Sequence, residues 1–385
     1  MRERSDLPFT MDEYKARLQL TRARMAENGW RLFMSTTPEN MYYLTGFNSR
    51  GYYSYQCLFV PLEGEPFMVT RHLDAVNVDH QTWMEPGYDY RDEDDPIALT
   101  ARALGERGFG QCVMGLEASS WFLTAQTYSQ LKDALPSVSF RDASAFVEQQ
   151  RMIKSPAEVE YARRAAKAVD AGMAAAIEAT REGVFDRDVA AAGYHSRILA
   201  GSEYVASPMY VQTGPGSAIA HNNWDGRRIE HGDVIFYEMG ASVKRYHAAT
   251  MRTAVIGEPS DVVARADAAT REGFEAALAR MRPGVTSDEV DSACRDVMVK
   301  RGFEQFHGLR LGYHIGIGYP PTWVGRGTFS LNKGSQDVLK AGMIFHVIPS
   351  LRIPGVGGFG NSETVLITNN GAENLTSCES RLFVR

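Results

Sequence analysis

The stretch Gly232–Thr253, GDVIFYEMGASVKRYHAATMRT, decides how this chain folds. Apolar runs on either side of the polar segment KRYH indicate two strands joined by a hairpin turn. Glu238 lies inside the first apolar run, and an unpaired carboxylate is rarely buried in a protein. Glu238 must therefore accept hydrogen bonds from the protein or meet a cation. Ala249, eleven residues later on the second strand, offers no ligand atom.

The second half of the chain contains an internal duplication. A shift of 101 residues lays Ala165–Ala192 over Ala266–Ala293, and ten of the twenty-eight paired positions are identical. Both copies read helix, R-x-G-V turn, helix, and a pair of predicted strands follows each copy. The pattern predicts two helix–helix–sheet units related by a pseudo-twofold axis, with a site between them.

Composition places the chain among ordinary globular proteins. It has 385 residues, of which 44% are hydrophobic and 23% are charged, so two domains are expected. A net charge of −6 argues against a nucleic-acid or acidic-membrane partner. No apolar run is long enough for a membrane span and the N-terminus does not resemble a signal peptide, so we expect a cytoplasmic protein with reduced cysteines.

The first 154 residues are predicted to form an α/β domain of their own. Ser155 is the N-cap of the helix that follows, Pro156 takes its first position, and Glu158 completes a capping box. This helix start sets the domain boundaries at 1–154 and 155–385. In the N-terminal domain the predicted helices are Met11–Asn28, Ala98–Arg107 and Thr124–Leu135, and the predicted strands are Leu32–Ser35 and Gln56–Pro61.

Three later segments, together with the hairpin, carry a family resemblance. They are LGYHIG at Leu311–Gly316, FHVIPS at Phe345–Ser350 and GFGNSETVLIT at Gly358–Thr368. The four segments resemble the metal-binding segments of the pita-bread family, which includes aminopeptidase P, prolidase, methionine aminopeptidase and creatinase. The resemblance implies a creatinase-type N-terminal α/β domain followed by a pita-bread domain with an internal pseudo-twofold repeat.

The same resemblance implies that the metal ligands of the family are replaced in this chain. The five ligand positions fall on Glu238, Ala249, Tyr313, Ile348 and Ser362. Hard divalent cations need several oxygen ligands, and transition metals prefer carboxylate or imidazole. One carboxylate among five positions cannot hold two ions, so we expect no metal and no other cofactor.

Within the family, the chain resembles the ectoine hydrolase branch first and creatinase next. The segments that carry this resemblance are KRYH at Lys244–His247, GYxIGxxYPPxW at Gly312–Trp323, GMxFH at Gly342–His346 and RLFV at Arg381–Val384. Both enzymes hydrolyse C–N bonds in small cationic or zwitterionic compounds. The chain departs from the ectoine branch at two places, where GFGNSET stands for G-L-E-I-T-E-S and RIPGVGG replaces a Trp-containing loop.

Three residues are the predicted catalytic group. His221, in the loop AIAHNNWD, takes the place of the catalytic histidine of creatinase, and imidazole is suited to shuttling a proton at neutral pH. Glu238 and Glu363 come from different repeats and are expected to face one cavity. Two carboxylates without a metal repel each other, and a flat amidinium or guanidinium relieves that repulsion through bidentate bonds.

Further residues are predicted to bind the substrate, and for each of them a structural role stays open. Arg50 could read a substrate carboxylate from the partner chain, as the resemblance implies, or lie on the surface as an ordinary arginine. His247 could be a second acid or base, or a structural residue of the hairpin turn. The predicted substrate-binding residues are Arg50, Tyr52, Trp224, His247, Tyr313, Tyr319 and Trp323.

The sequence therefore favours a metal-independent hydrolase of a non-peptide C–N bond in a small zwitterion, with ectoine or a near relative first. We expect a homodimer with shared active sites. The alternatives are a creatinase-type amidinohydrolase, a metal-dependent Xaa-Pro peptidase, a lyase on a related osmolyte and a non-catalytic binding module. The replaced ligands argue against the peptidase, and the joint presence of His221, Glu238 and Glu363 argues against the binding module.

Overall fold

A computed structural model of the protein describes residues 1–308, 310–325 and 327–385. The chain divides into two compact units, Met1–Arg151 and Met152–Arg385. Within the described residues, none of the helices is both long enough and apolar enough to span a membrane.

The N-terminal unit is built on one mixed sheet of six strands. The strand order is β4-β3-β2-β1-β5-β6; β1–β2 and β2–β3 are antiparallel, and the other pairs are parallel. The elements are α1 (Met11–Glu27), β1 (Leu32–Ser35), α2 (Pro38–Thr45), β2 (Cys57–Pro61), β3 (Phe67–Arg71), α3 (His72–Gln81), β4 (Tyr88–Tyr90), α4 (Pro96–Glu106), β5 (Val113–Leu116), α5 (Ala125–Ala134), β6 (Ser139–Asp142) and α6 (Phe146–Gln150).

The C-terminal unit packs two helix pairs against a large curved sheet. Its main strand order is β17-β16-β13-β10-β9-β8-β7, with β11 and β12 paired to β10, β18 paired to β9, and β14–β15 forming a separate hairpin. The elements are α7 (Pro156–Ala179), α8 (Asp186–Leu199), β7 (Tyr210–Thr213), β8 (Val234–Val243), β9 (Tyr246–Val255), α9 (Asp261–Arg280), α10 (Ser287–Arg301), β10 (Gly312–Tyr319), β11 (Thr322–Val324), β12 (Ser330–Leu331), β13 (Ile344–Val347), β14 (Ser350–Ile353), β15 (Gly357–Gly360), β16 (Glu363–Thr368), β17 (Gly371–Asn374) and β18 (Phe383–Val384).

The internal repeat of the sequence is visible in these elements. The first copy forms α7 and α8, and the second forms α9 and α10. Gly183 and Gly284 occupy the same position in the two connecting turns, with φ angles of 84° and 89°. Capping boxes begin α7 at Ser155 and α10 at Thr286. The predicted fold class is confirmed, with α7 and α8 packed on β7, β8 and β9, and with α9 and α10 packed on β12, β14, β15 and β17.

The segment Gly232–Thr253 forms a hairpin of two neighbouring strands, as its pattern predicts, and it lies between β10 and β7 in the sheet. Strands β8 and β9 pair in antiparallel register from Val234↔Val255 to Val243↔Tyr246. Lys244 and Arg245 alone make the turn and both have positive φ, the geometry that two-residue hairpins require. Both strands are almost fully buried, so this hairpin carries side chains to the interior of the unit on both faces.

Candidate active site

The C-terminal unit encloses a cavity of about 490 Å³, a size suited to a small molecule. Charged and aromatic side chains share its wall with apolar ones. The lining residues are Ser207, Tyr210, Gln212, Ala220, His221, Glu238, Met251, Gly308, Arg310, Tyr313, Thr322, Trp323, Val324, Ile348, Ser350 and Arg352. Four of the predicted site residues, His221, Glu238, Tyr313 and Trp323, are therefore brought together.

Part of the cavity wall is one face of the central sheet. Residue Tyr210 of β7 pairs with Glu238 of β8, which pairs in turn with Met251 of β9. Side chains of paired residues project to the same face, and all three line the cavity. The register of the hairpin therefore decides that the Glu238 carboxylate faces the cavity instead of the helices behind the sheet.

Glu238 is the carboxylate that this cavity leaves available. Among the described residues, no hydrogen bond and no ion pair within 4.0 Å reaches it. Burial raises the pKa of the Glu238 carboxyl to about 7, and the charge of Arg352 opposes part of that rise. A carboxylate in this setting gains from a cationic ligand that restores its ordinary ionisation.

Glu363 does not share this cavity, and the expectation that the two carboxylates face each other is corrected. The carboxylate of Glu363 is bonded to the Arg252 guanidinium and to the hydroxyl of Thr376. The physical reason is strand alternation, because neighbouring residues project to opposite faces. Ser362 directs its hydroxyl to the ring of His346, so Glu363 beside it points away.

His221 lines the cavity from a loop and is exposed to solvent. Its backbone has φ 59°, in the left-handed region that non-glycine residues seldom adopt. The Tyr210 ring lies beside the imidazole, with ring centroids 6.5 Å apart. His221 is thus held at the edge of the cavity that contains Glu238, where it can reach both water and a bound ligand.

Tyr313 belongs to a buried hydrogen-bonded chain of four side chains. Trp323 Nε1 donates to the Tyr313 hydroxyl at 2.9 Å, and that hydroxyl contacts His346 Nδ1 at 2.8 Å. His346 Nε2 lies 2.7 Å from Ser362 Oγ. Burial lowers the pKa of His346 to about 3, so the ring is neutral at physiological pH and carries one proton that either nitrogen can hold.

His247 has both ring nitrogens bonded within the protein, which favours the structural role of the two left open for it. Its Nε2 accepts a hydrogen bond from Ala206 N at 3.0 Å, and its Nδ1 donates to Arg245 O at 2.8 Å. Burial lowers the pKa of His247 to about 3, with the Arg245 charge acting in the same direction. The ring packs near Trp323 behind the cavity wall, with both nitrogens engaged.

Four other predicted binding residues do not line the cavity. Trp224 is partly buried and packs on Tyr194, whereas Tyr319 is a core residue buried beneath the Arg245 guanidinium. Arg50 and Tyr52 belong to the N-terminal unit, at a short 3-10 helix of residues 51–53. Their predicted role in a neighbouring chain's site stays a prediction.

Two arginines that line the cavity were not predicted from the sequence. Arg352 lies on β14, and Arg310 lies over the Tyr313 ring at 4.8 Å. The segment Ser350–Ile353 alternates polar and apolar residues, which is the signal that could have placed Arg352 on a cavity wall. Its neighbours Leu351 and Ile353 enter the apolar core on the other side.

The fold implies a metal pair, and the residues present do not fit one. Ala249, Tyr313 and Ile348 pack together in one apolar cluster, and the Ser362 hydroxyl is bonded to His346. In the part of the chain that the structure describes, no group of three or more His, Cys, Asp or Glu could hold a metal ion. The donor set lacks the carboxylates and imidazoles that such a pair requires.

Comparison with known families identifies the family to which this chain belongs. Residues 160–369 match metallopeptidase family M24, and residues 17–153 match the creatinase/prolidase N-terminal domain. The first match alone spans more than half of the chain. This chain belongs to metallopeptidase family M24 and carries the creatinase-type N-terminal domain of its pita-bread members.

Individual relatives narrow the class of reaction. The ectoine hydrolase of Halomonas elongata is 34% identical, over 98% of this chain and 99% of that protein. The Xaa-Pro dipeptidase of Lactobacillus helveticus is 26% identical, over 91% and 93% of the two chains. The family and the ectoine hydrolase similarity indicate a hydrolase acting on C–N bonds.

Solved structures agree on the fold. A prolidase from Thermococcus sibiricus superposes with a TM-score of 0.88 at 24% identity, covering 97% of this chain and 99% of that one. The dipeptidase PepE from Mycobacterium ulcerans gives a TM-score of 0.83 at 28% identity, covering 98% and 99%. The fold of these peptidases is therefore retained along this chain.

Proposed function

We propose that this protein hydrolyses a non-peptide C–N bond in a small zwitterion without a bound metal ion. An ectoine-like compound is the first candidate, and a creatine-like compound is the second. The observation that carries the proposal is the Glu238 carboxylate, which faces the cavity beside His221 without a partner among the described residues.

The role of Glu238 follows from charge. An amidinium or guanidinium presents two parallel N–H donors, which match the two oxygens of a carboxylate. At an effective dielectric constant near ~20 and a separation of ~4 Å, such a pair is worth roughly 4 kcal/mol before desolvation is subtracted. Binding the cation would ionise Glu238 fully and orient the amidinium carbon toward the edge of the cavity, where His221 lies.

His221 supplies the proton transfers. It takes a proton from a water molecule as the water oxygen bonds to the amidinium carbon. His221 then returns the proton to the departing nitrogen as the C–N bond breaks, and the amine that leaves takes up the remaining hydroxyl proton, so the products are an amide and an ammonium group that carries the positive charge of the amidinium. Glu363 has no part in this scheme because Arg252 and Thr376 occupy its carboxylate.

The rival with the most support is a metal-dependent Xaa-Pro peptidase, because dipeptidases occur among the relatives. That chemistry uses metal ligands, and Ala249 and Ile348 stand at two of their positions. A non-catalytic binding module is the rival outside enzymology. It requires neither His221 nor an available Glu238 in a cavity.

Two substitutions test the proposal on ectoine, creatine and the dipeptide Ala-Pro. Glu238→Gln keeps the shape of the side chain and removes its charge, so kcat/KM should fall by roughly 10² to 10³. His221→Ala should lower kcat by roughly 10² to 10⁴ with a smaller effect on binding. Exposed residues outside the cavity serve as controls, so Glu258→Gln and His195→Ala should keep wild-type turnover.

The outcomes separate the candidate functions. Turnover of ectoine or creatine that both cavity substitutions abolish would support the proposal. Cleavage of Ala-Pro but of neither zwitterion would favour the peptidase. Near wild-type turnover by His221→Ala would overturn the assignment of the proton shuttle.

A further inference from the structure

The cavity contains two arginines that the hydrolysis scheme does not use, and one of them is Arg352. Arg352 comes from β14, whose residues alternate between two environments. Ser350 and Arg352 line the cavity, whereas Leu351 and Ile353 belong to the apolar core. The alternation fixes which way the arginine points, since turning it would expose the two apolar side chains.

The guanidinium is held rigidly in place. Its Nη1 donates to Gln212 Oε1 at 2.7 Å and to Ser217 O at 2.5 Å. The guanidinium carbon lies 3.9 Å from the centre of the Phe236 ring. Behind it, a Cβ on Gly358 would come within 2.4 Å of Nη1, so glycine makes the space that the arginine fills. Little side-chain entropy is left to lose when a ligand binds.

Arg352 forms no direct ion pair with the described residues. Among the described residues, no carboxylate lies within 4.0 Å of it, and its buried Nε has no hydrogen-bond partner. Burial lowers the pKa of Arg352 to about 10, with the charge of Glu238 opposing the change, so the side chain is still cationic at neutral pH. A partly buried cation with an unused buried donor is costly unless an anion meets it.

The sheet fixes the spacing between this cation and Glu238. Phe236 and Glu238 are two residues apart on β8 and project to the same face. Because Arg352 stacks over Phe236, the two charges follow one strand at a separation of roughly 7 Å, given about 3.3 Å per residue. That interval leaves room for a small molecule with a positive group at one end and a negative group at the other.

We propose that Arg352 binds the carboxylate of the substrate, so that Arg352 and Glu238 read the two charges of one zwitterion. The inference rests on the proposed function and makes Arg352 its specificity-determining residue. The planar guanidinium fork suits a carboxylate, which accepts two parallel hydrogen bonds. The acid group is then recognised inside the C-terminal unit, without need of Arg50.

A thermodynamic cycle between protein and ligand tests this assignment. Ectoine is compared with the tetrahydropyrimidine that remains when its carboxylate is removed, and creatine is compared with dimethylguanidine. Each of these two counterparts keeps the cation and lacks the carboxylate. Dissociation constants are measured by calorimetry in the His221→Ala background, so that no ligand is consumed. Arg352→Met is the test variant. Arg228→Met is its matched control, because Arg228 also stacks on a phenylalanine and bonds to a backbone carbonyl, yet lies outside the cavity.

Each variant has an expected preference between a zwitterion and its decarboxylated counterpart. At least one zwitterion should bind about 30-fold or more tightly than its decarboxylated counterpart, Arg352→Met should remove that preference, and Arg228→Met should keep it. Arg352→Lys, which keeps the charge and loses the fork, should retain part of it. If neither zwitterion binds more tightly than its counterpart, or if the preference survives Arg352→Met, the inference is overturned.

Folding and catalysis are checked separately. The thermal unfolding midpoint of each ligand-free variant shows whether it is folded, and Arg352→Lys carries the test should Arg352→Met fail to fold. Hydrolysis is followed by product formation in the background that retains His221. A preference for the zwitterion that depends on Arg352, without any product formation, would support this inference and overturn the proposed hydrolysis. Product formation with a preference independent of Arg352 would do the reverse.

Discussion

At the scale of single residues, the two glutamates of the site region differ in what surrounds them. Glu363 is paired with Arg252, which also donates to carbonyl oxygens of the chain. Glu238 lies on a cavity wall with no bonded partner among the described residues. The carboxylate of Glu363 therefore stabilises the folded state. The carboxylate of Glu238 destabilises it and is available to a ligand.

This contrast predicts opposite effects of the same substitution. Removing one partner of a buried ion pair leaves the other charge uncompensated, so Glu363→Gln should lower the free energy of unfolding by about 3 kcal/mol at neutral pH. Glu238→Gln should leave it unchanged or raise it. Chemical denaturation at pH 7 measures both, and equal losses in the two variants would contradict the assignment.

The pH dependence of the free energy of unfolding tests independently whether the Glu238 carboxylate stabilises or destabilises the protein. The pKa of Glu238 is about 7 in the folded state, above its ordinary value of 4.5, so the folded state binds the proton more tightly. The contribution of Glu238 to stability is complete below pH 4.5 and is lost as the pH rises through 7. The unfolding free energy of wild type relative to Glu238→Gln should therefore fall by about 2–3 kcal/mol over that range.

The site residues also show which features of the site could be predicted from the sequence and which could not. His221, Glu238, Tyr313 and Trp323, which were predicted as site residues from motif positions, line one cavity. Glu363 was misassigned because a motif identifies a strand, while the side-chain direction depends on the pleat. Arg352 was missed because its neighbours in space, Gln212 and Phe236, are far from it in sequence.

At the scale of elements, the duplicated helix pairs carry the fold. The turn between α7 and α8 and the turn between α9 and α10 both place glycine at positive φ. No heavy atom lies within 4 Å of a Cβ built on Gly183 or Gly284. Steric clashes therefore do not explain the glycines, and the backbone conformation does.

A matched pair of substitutions tests this equivalence. Gly183→Ala and Gly284→Ala should each destabilise the C-terminal unit by about 1 kcal/mol, because alanine is strained in the left-handed region. Asparagine tolerates that region better, so Gly183→Asn and Gly284→Asn should cost less. Thermal unfolding midpoints measure all four, and a loss confined to one of the two turns would contradict the structural repeat.

The elements were the most predictable part of the chain. The capping box at Ser155, the hairpin around KRYH and the repeated R-x-G-V turn all depend on local backbone chemistry, which sequence records directly. The separate hairpin of β14 and β15 was not anticipated, since RIPGVGG reads as an irregular loop. Both strands are short and β15 is rich in glycine, so their pairing depends on the β8 surface that they contact.

At the scale of the whole molecule, the predicted assembly concerns Arg50 and Tyr52. We expect an obligate homodimer in which these residues approach a neighbouring chain's His221, as the resemblance to creatinase implies. Sedimentation equilibrium should give twice the chain mass at all accessible concentrations, with Gly105→Ala, a substitution in open space, as a control. A fully active monomer would rule out shared sites.

The last prediction concerns the metal content of the intact protein. Metal affinity depends on the number and type of ligands, and the family resemblance implies that this chain keeps one carboxylate among five ligand positions. Protein purified without added metal should therefore contain no stoichiometric manganese, zinc, iron or cobalt. Chelators should leave turnover of its zwitterionic substrate intact. A metal-dependent Xaa-Pro dipeptidase, prepared in parallel, is the positive control and should lose its activity. Elemental analysis that finds two ions per chain would mean that ligands other than the five positions form the site, and the charge pairing proposed for Glu238 would then have to be abandoned.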